Sequence, residues 1–191
     1  MDTDRAAVAA ILDFWFGPPG ADGALPKREE WFRGGPAFDT RVAEVLGPWH
    51  TRAAAGALDR WADTADGALA LVLLLDQAPR NLFRGDPRAF ATDAHARQVA
   101  AGALDRGFDR DMQVVQRLFL YLPFEHGEDL ADQDRSVALF AALGDADYLD
   151  YAQRHRDIIV RFGRFPHRNA VLGRASSTEE AAFLTQPGSS F

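Results

Sequence analysis

The sequence predicts an all-α protein, an irregular array of about nine or ten helices, and three observations carry that prediction. Apolar residues recur with helical spacing along nearly the whole chain. No segment alternates with the two-residue period of a half-buried strand. The periodic segments are joined by short connections, many holding glycine or proline. At 191 residues the chain is long enough to bury a core, and it reads as a single helical domain over residues 1–191.

In the first segment Val8, Ile11, Leu12, Trp15 and Phe16 form one stripe, with Thr3 as the candidate N-cap and the run Gly17-Pro18-Pro19-Gly20 as its end. The loop that follows contains Trp31 and Phe32, which are expected to pack onto the body. Phe38, Val42, Val45, Leu46 and Trp49 mark a second helix, which Gly47–Pro48 is expected to break or kink. From about Asp66 to Ala78 the chain is apolar all round, the mark of a central helix, and Pro79 should kink or stop it. Thr92 is positioned to cap the next helix, which ends near Gly107. Met112, Val115, Phe119 and Leu122 stripe another, with Pro123 as its stop. Two more run from about Glu128 to Leu143 and from Ala146 to Phe162, closed by Gly144 and Gly163. A short helix opens at Pro166, and Ser177-Thr178-Glu179-Glu180 spells a capping box for the last one. The tail after Thr185 is expected to be loose. The string AAGALDR occurs at Ala54–Arg60 and again at Ala100–Arg106, a hint of a repeated helix pair.

Composition narrows the function. The formal net charge is −7, which speaks against a nucleic-acid binder with its basic face. There is no cysteine, which excludes disulfides, thiolate zinc sites and thiol nucleophiles. The start of the chain lacks a basic leader, and Asp13 interrupts its first apolar stretch, so no secretory signal is read there. The longest apolar run, Ala68–Leu75, is too short to span a bilayer. A cytoplasmic protein without membrane contact is expected. Lys27 is the one lysine among 21 basic residues, so the presence of arginine at a given position says little and its placement says more.

Three polar clusters sit in apolar company. The first is LLLDQAPRNLFRG, in which Asp76 and Arg80 are four residues apart, as are Gln77 and Asn81. It is either a pair that ties down a broken helix or a carboxylate and a guanidinium at the wall of a cavity. The second is YLPFEHGEDLADQ, where Glu125 and His126 fall in a connection between apolar neighbours. A proton-transfer pair fits them, while no spacing matches a zinc signature and no metal site is predicted. Glu128 and Asp129 read as first-turn acids that favour a helix dipole. The third is RFGRFPHRNAVLGR, with His155 upstream on an inward face. Here Arg164, His167 and Arg168 crowd the start of the short helix, where the dipole is already positive, so a carboxylate of the protein or a bound anion has to answer them.

These three stretches, with ILDFWFG near the start and STEEAAFL near the end, resemble the bacterial family called domain of unknown function 924 over essentially the whole chain. The resemblance implies an all-α fold of the tetratricopeptide-like superfamily and implies no reaction. The family usually has an aromatic where Ala78 stands and often a serine where Gly127 stands.

The reading that follows is a pocket for a small anionic ligand, a phosphate or carboxylate, to which the three clusters converge. Its expected ligand-binding residues are Arg80, Asn81, Arg164, His167, Arg168 and Asn169, with His126, Glu125 and Asp76 as the catalytic candidates should hydrolysis or group transfer occur. No cofactor motif is present. Two alternatives stand beside it: a groove that clamps the carboxylate of an acidic or C-terminal peptide, and an internal ion-pair network with no ligand.

Overall fold

The structure, a computed structural model, describes residues 2–190. It is helical with no strand among the described residues. The helices are α1 (Asp2–Phe16), α2 (Glu30–Arg33), α3 (Gly35–Ala54), α4 (Ala65–Val72), α5 (Ala78–Leu82), α6 (Asp93–Asp105), α7 (Val114–Glu125), α8 (Leu130–Leu143), α9 (Ala146–Phe162) and α10 (Thr178–Leu184). Contacts divide the chain into two compact units, residues 1–84 with 88–123, and residues 85–87 with 124–191.

In the first unit the predicted central helix is central: every residue from Ala68 to Leu75 is wholly buried. It is longer than expected. Pro79 neither stops nor breaks it; the turn before the proline widens into a π-helical segment, Leu73–Gln77, and helix resumes as α5. A widened turn is one way to fit a ring that would otherwise clash with the carbonyl four residues back. Pro48 likewise lies inside an unbroken α3, and Pro123 inside α7. Thr3 lies within α1 rather than ahead of it.

The loop after α1 packs down as expected, and it does so by finishing the helix. Arg28 donates to the carbonyls of Phe14 and Trp15 at 2.8 and 2.7 Å, and the Trp31 indole N–H to that of Trp15 at 2.9 Å. These are C-terminal carbonyls with no partner inside the helix. The rings of Trp15, Phe16 and Trp31 then meet Phe119 edge-on, with centroids 4.8–5.7 Å apart.

In the second unit α8 and α9 form a hairpin across Gly144–Asp145, and Ile158, Ile159 and Phe165 with Phe162 and Phe183 make a small core. Gly144 and Gly163 end these helices in the left-handed conformation, at φ 80° and 67°. Ser177 and Glu180 form the predicted capping box of α10. The tail is better held than expected: Ser189 is buried and its hydroxyl donates to the Leu184 carbonyl. The two AAGALDR strings do not form a structural repeat, since the first leaves α3 through a turn and the second lies mostly within α6.

Candidate functional site

The nine predicted site residues fall in both units. Asp76, Arg80 and Asn81 belong to the first, and Glu125, His126, Arg164, His167, Arg168 and Asn169 to the second.

The first group is organised by the π-helical segment. A widened turn displaces carbonyls from regular pairing, and three side chains meet them. The His50 ring stands 2.8 Å from the Leu74 carbonyl through Nδ1, the Thr92 hydroxyl donates to Leu75 at 2.5 Å, and Arg80 donates to Asp76. A carbonyl only accepts, so His50 carries its proton on Nδ1. Arg80 also forms a two-pronged pair with Asp93 at 3.0 and 3.1 Å and lies 3.4 Å from the Asp76 carboxylate. Burial alone would lower the Arg80 pKa; Asp76 and Asp93 outweigh it and raise the pKa above its usual value. Asp76 itself is wholly buried and accepts from the Gln77 amide at 2.6 Å. Asn81 joins a different carboxylate, Asp39, which Arg84 grips with two further bonds. The sequence showed the Asp76–Arg80 spacing but not the partners His50, Thr92, Asp93 and Asp39. Thr92 has the position of a cap yet makes no cap hydrogen bond, because its hydroxyl is turned to the central helix.

In the second group the short helix is a single 3-10 turn, Pro166–Arg168. Three residues carry little dipole, so the crowding of cations there has a different answer. Glu128, expected in the first turn of α8, lies ahead of that helix, whose N-cap is Asp129. Its Oε1 accepts from the Phe165 backbone N–H at 2.8 Å and from Arg174 at 2.9 Å, and its Oε2 from Arg174 at 2.6 Å. Burial would raise the Glu128 pKa, but these bonds and the charges of Arg174 and Arg168 lower it. Arg164 is held the same way by Glu180, at 2.6 and 2.8 Å. That arginine and the Ser177 backbone N–H bring the Glu180 carboxyl down to about 2. Asn169 donates to the Ser176 hydroxyl and accepts from Arg174, which makes it a strut of the same turn.

Of the rest of the second group, Arg168 and His167 meet at the ring of Phe165. Arg168 lies over its ring at 4.5 Å, His155 meets it edge-on at 5.5 Å, and His167 lies at 5.6 Å. The Arg168 guanidinium donates to the His126 carbonyl at 3.1 Å, and the His126 and His155 rings are 6.4 Å apart. The turn that carries His126 is closed from its other side by Gln133, whose amide donates to the carbonyls of Glu125 and Gly127, each at 2.7 Å. His155 and Arg168 are buried, whereas His126 and His167 are half-buried. A Cβ on Gly127 would come within 2.8 Å of the Asp132 carboxylate, so a serine there requires Asp132 to shift.

His155 and His167 are held neutral by burial. Burial pushes His155 down to about 3, against the help of the Tyr151 carbonyl that its Nδ1 meets at 2.8 Å. The Glu125 carboxyl lies 3.3 Å from the same nitrogen, so this contact joins a neutral imidazole to an acid rather than two full charges. Burial, then the charge of Arg168, brings His167 to about 4.

Among the described residues no three His, Asp or Glu are placed to hold a metal ion, and no helix is long and apolar enough to cross a membrane. A hollow of about 250 Å³ in the first unit is lined by Leu12, Asp13, Phe16, Leu25 and Asp66 among others, and by none of the predicted site residues.

The comparisons with known proteins agree with the architecture and name no activity. No curated protein matches the chain. A solved structure titled as that of a protein of unknown function from Agrobacterium tumefaciens is similar at 44% identity, covering 94% of this chain and 97% of that one, with a TM-score of 0.85. Residues 11–188 match the family described as bacterial proteins of unknown function, DUF924, and the chain belongs to that family.

Proposed function

We propose that the protein binds a small anion, a phosphate or carboxylate group, at His126, His167 and Arg168. One observation carries this reading: the buried Arg168 guanidinium and the His167 imidazole meet at one ring, that of Phe165, and the same guanidinium bonds the backbone carbonyl of His126, whose imidazole, like that of His167, is half-buried. A guanidinium presents a fixed fork of donors to an oxyanion, and an imidazole beside it adds a donor or takes a proton. Should the ligand react there, His126 is the acid or base.

Arg164 and Asn169 leave the predicted ligand set, because the first is spent on Glu180 and the second on Ser176 and Arg174. Asp76, Arg80 and Asn81 serve the fold of the first unit in this reading, since the π-helical segment uses Asp76 and Arg80 and the Asp39 pair uses Asn81. An internal ion-pair network is the second reading, favoured by the two-pronged Arg164–Glu180 and Arg174–Glu128 pairs.

Thermal melting with sulfate, phosphate and small dicarboxylates separates them. A ligand that binds the folded state stabilises it by about 2.7 kcal/mol at a hundredfold excess over its dissociation constant. The anion reading predicts a rise in melting temperature that Arg168→Ala abolishes, His126→Asn diminishes and Arg164→Ala keeps. No rise with any anion leaves the network reading.

A further inference from the structure

His167 sits where one more positive charge is hard to accommodate. Arg168 follows it on the same turn, Arg174 acts on it from the next turn, and His126 acts from the end of α7. His155 of α9 meets the same Phe165 ring, its centroid 5.5 Å away, and the His167 ring lies 5.6 Å from it. Glu128 is the carboxylate that favours its protonation, and both oxygens of Glu128 are already engaged by Arg174 and the Phe165 backbone. An anion bound at Arg168 changes this balance, because it adds negative charge next to the ring without drawing on Glu128.

We infer that anion binding at this site takes up one proton on His167, so that the ligand enters as an anion together with a proton and binds more tightly as the pH falls. The inference rests on the anion site proposed above. Without ligand His167 titrates at about 4, burial being the first cause and Arg168 the second. If the anion returns it to the ordinary histidine range near 6.5, linkage makes binding about tenfold tighter at pH 5.5 than at pH 7.5. Sulfate is the probe, because it keeps its own charge across that range whereas phosphate does not.

Calorimetric titration of the whole chain with sodium sulfate at pH 5.5, in two buffers of different ionisation enthalpy and at fixed ionic strength, counts the protons. The expected result is close to one proton taken up per sulfate. His167→Gln should bind sulfate more weakly and with no uptake, and His126→Asn, also weaker, should still take up close to one proton per sulfate bound. Sulfate binding to the native chain without proton uptake, or uptake that survives His167→Gln, overturns the coupling and leaves the anion site standing. Absence of sulfate binding at every pH overturns both. Should His167→Gln not fold, the His167 ring signals of the native chain in NMR report the same quantity: sulfate must move their titration upward by at least one pH unit, and an unmoved midpoint refutes the coupling.

Discussion

Glu128 and Arg174 face each other through two hydrogen bonds of 2.6 and 2.9 Å, and the same carboxylate accepts the backbone N–H of Phe165. This relationship explains how an acidic chain tolerates the run of cations from Arg161 to Arg174. Three arginines of the run are answered from inside the second unit, Arg161 by Glu179, Arg164 by Glu180 and Arg174 by Glu128. Glu128→Ala removes the acceptor of the Phe165 N–H and the carboxylate that pairs with Arg174, leaving that guanidinium only its bonds to Asn169 and the Phe165 carbonyl. Hydrogen bonds to charged groups contribute about 1.5–3 kcal/mol each, so a loss of at least 2 kcal/mol is expected in urea unfolding. A loss under about 0.5 kcal/mol, the size of an ordinary surface change, contradicts this account.

The central helix offers a second test. Thr92 closes the Leu75 carbonyl at the π-helical segment, and Thr92→Val keeps the shape while removing the hydroxyl. An unmet buried carbonyl costs about 1–3 kcal/mol, and the variant should lose that much in urea unfolding. Neutral behaviour would mean that the segment relaxes to regular α-helix.

The acid response has two windows, and their order follows from the signs. His155 and His167 have folded pKa values of about 3 and 4, below the ordinary 6.5, so the unfolded chain binds more protons across that interval. Their contribution to stability is present above pH 6.5 and declines as the pH falls toward 3, by up to about 1.4 kcal/mol per pH unit for the buried His155. Glu180, depressed to about 2, adds its loss only as the pH falls from about 4.5 to 2. Stability measured from pH 7 to 5 should therefore fall already, and His155→Gln should flatten that part of the curve. Glu180→Gln should change its shape only below about pH 4.5. A native curve flat down to pH 5 would show that the histidines are not held neutral.

Much of the fold was legible in the sequence because helical periodicity is strong here and its punctuation is local. The capping box at Ser177 and Glu180, the glycine ends of α8 and α9, and the wholly buried run from Ala68 to Leu75 all lie where pattern places them. The prolines misled, since Pro48, Pro79 and Pro123 signal helix breaks yet lie inside helix, Pro79 directly after a widened turn. For the site, residue types and crowding were readable and partners were not. Glu128 looks like a dipole acid and Glu180 like half of a cap; only the folded chain, with Arg174 46 and Arg164 16 residues away from them, reveals the second duty of each. Spacing along one helix cannot carry that information.

The most direct measurement is a crystal of the native protein soaked in selenate, with the anion located by its anomalous signal. The account predicts a peak within hydrogen-bond distance of the Arg168 guanidinium and the His167 or His126 ring, with the Arg164–Glu180 and Arg174–Glu128 pairs undisturbed. No peak at this site, or one that displaces Glu128 or Glu180 from its arginine, would contradict it.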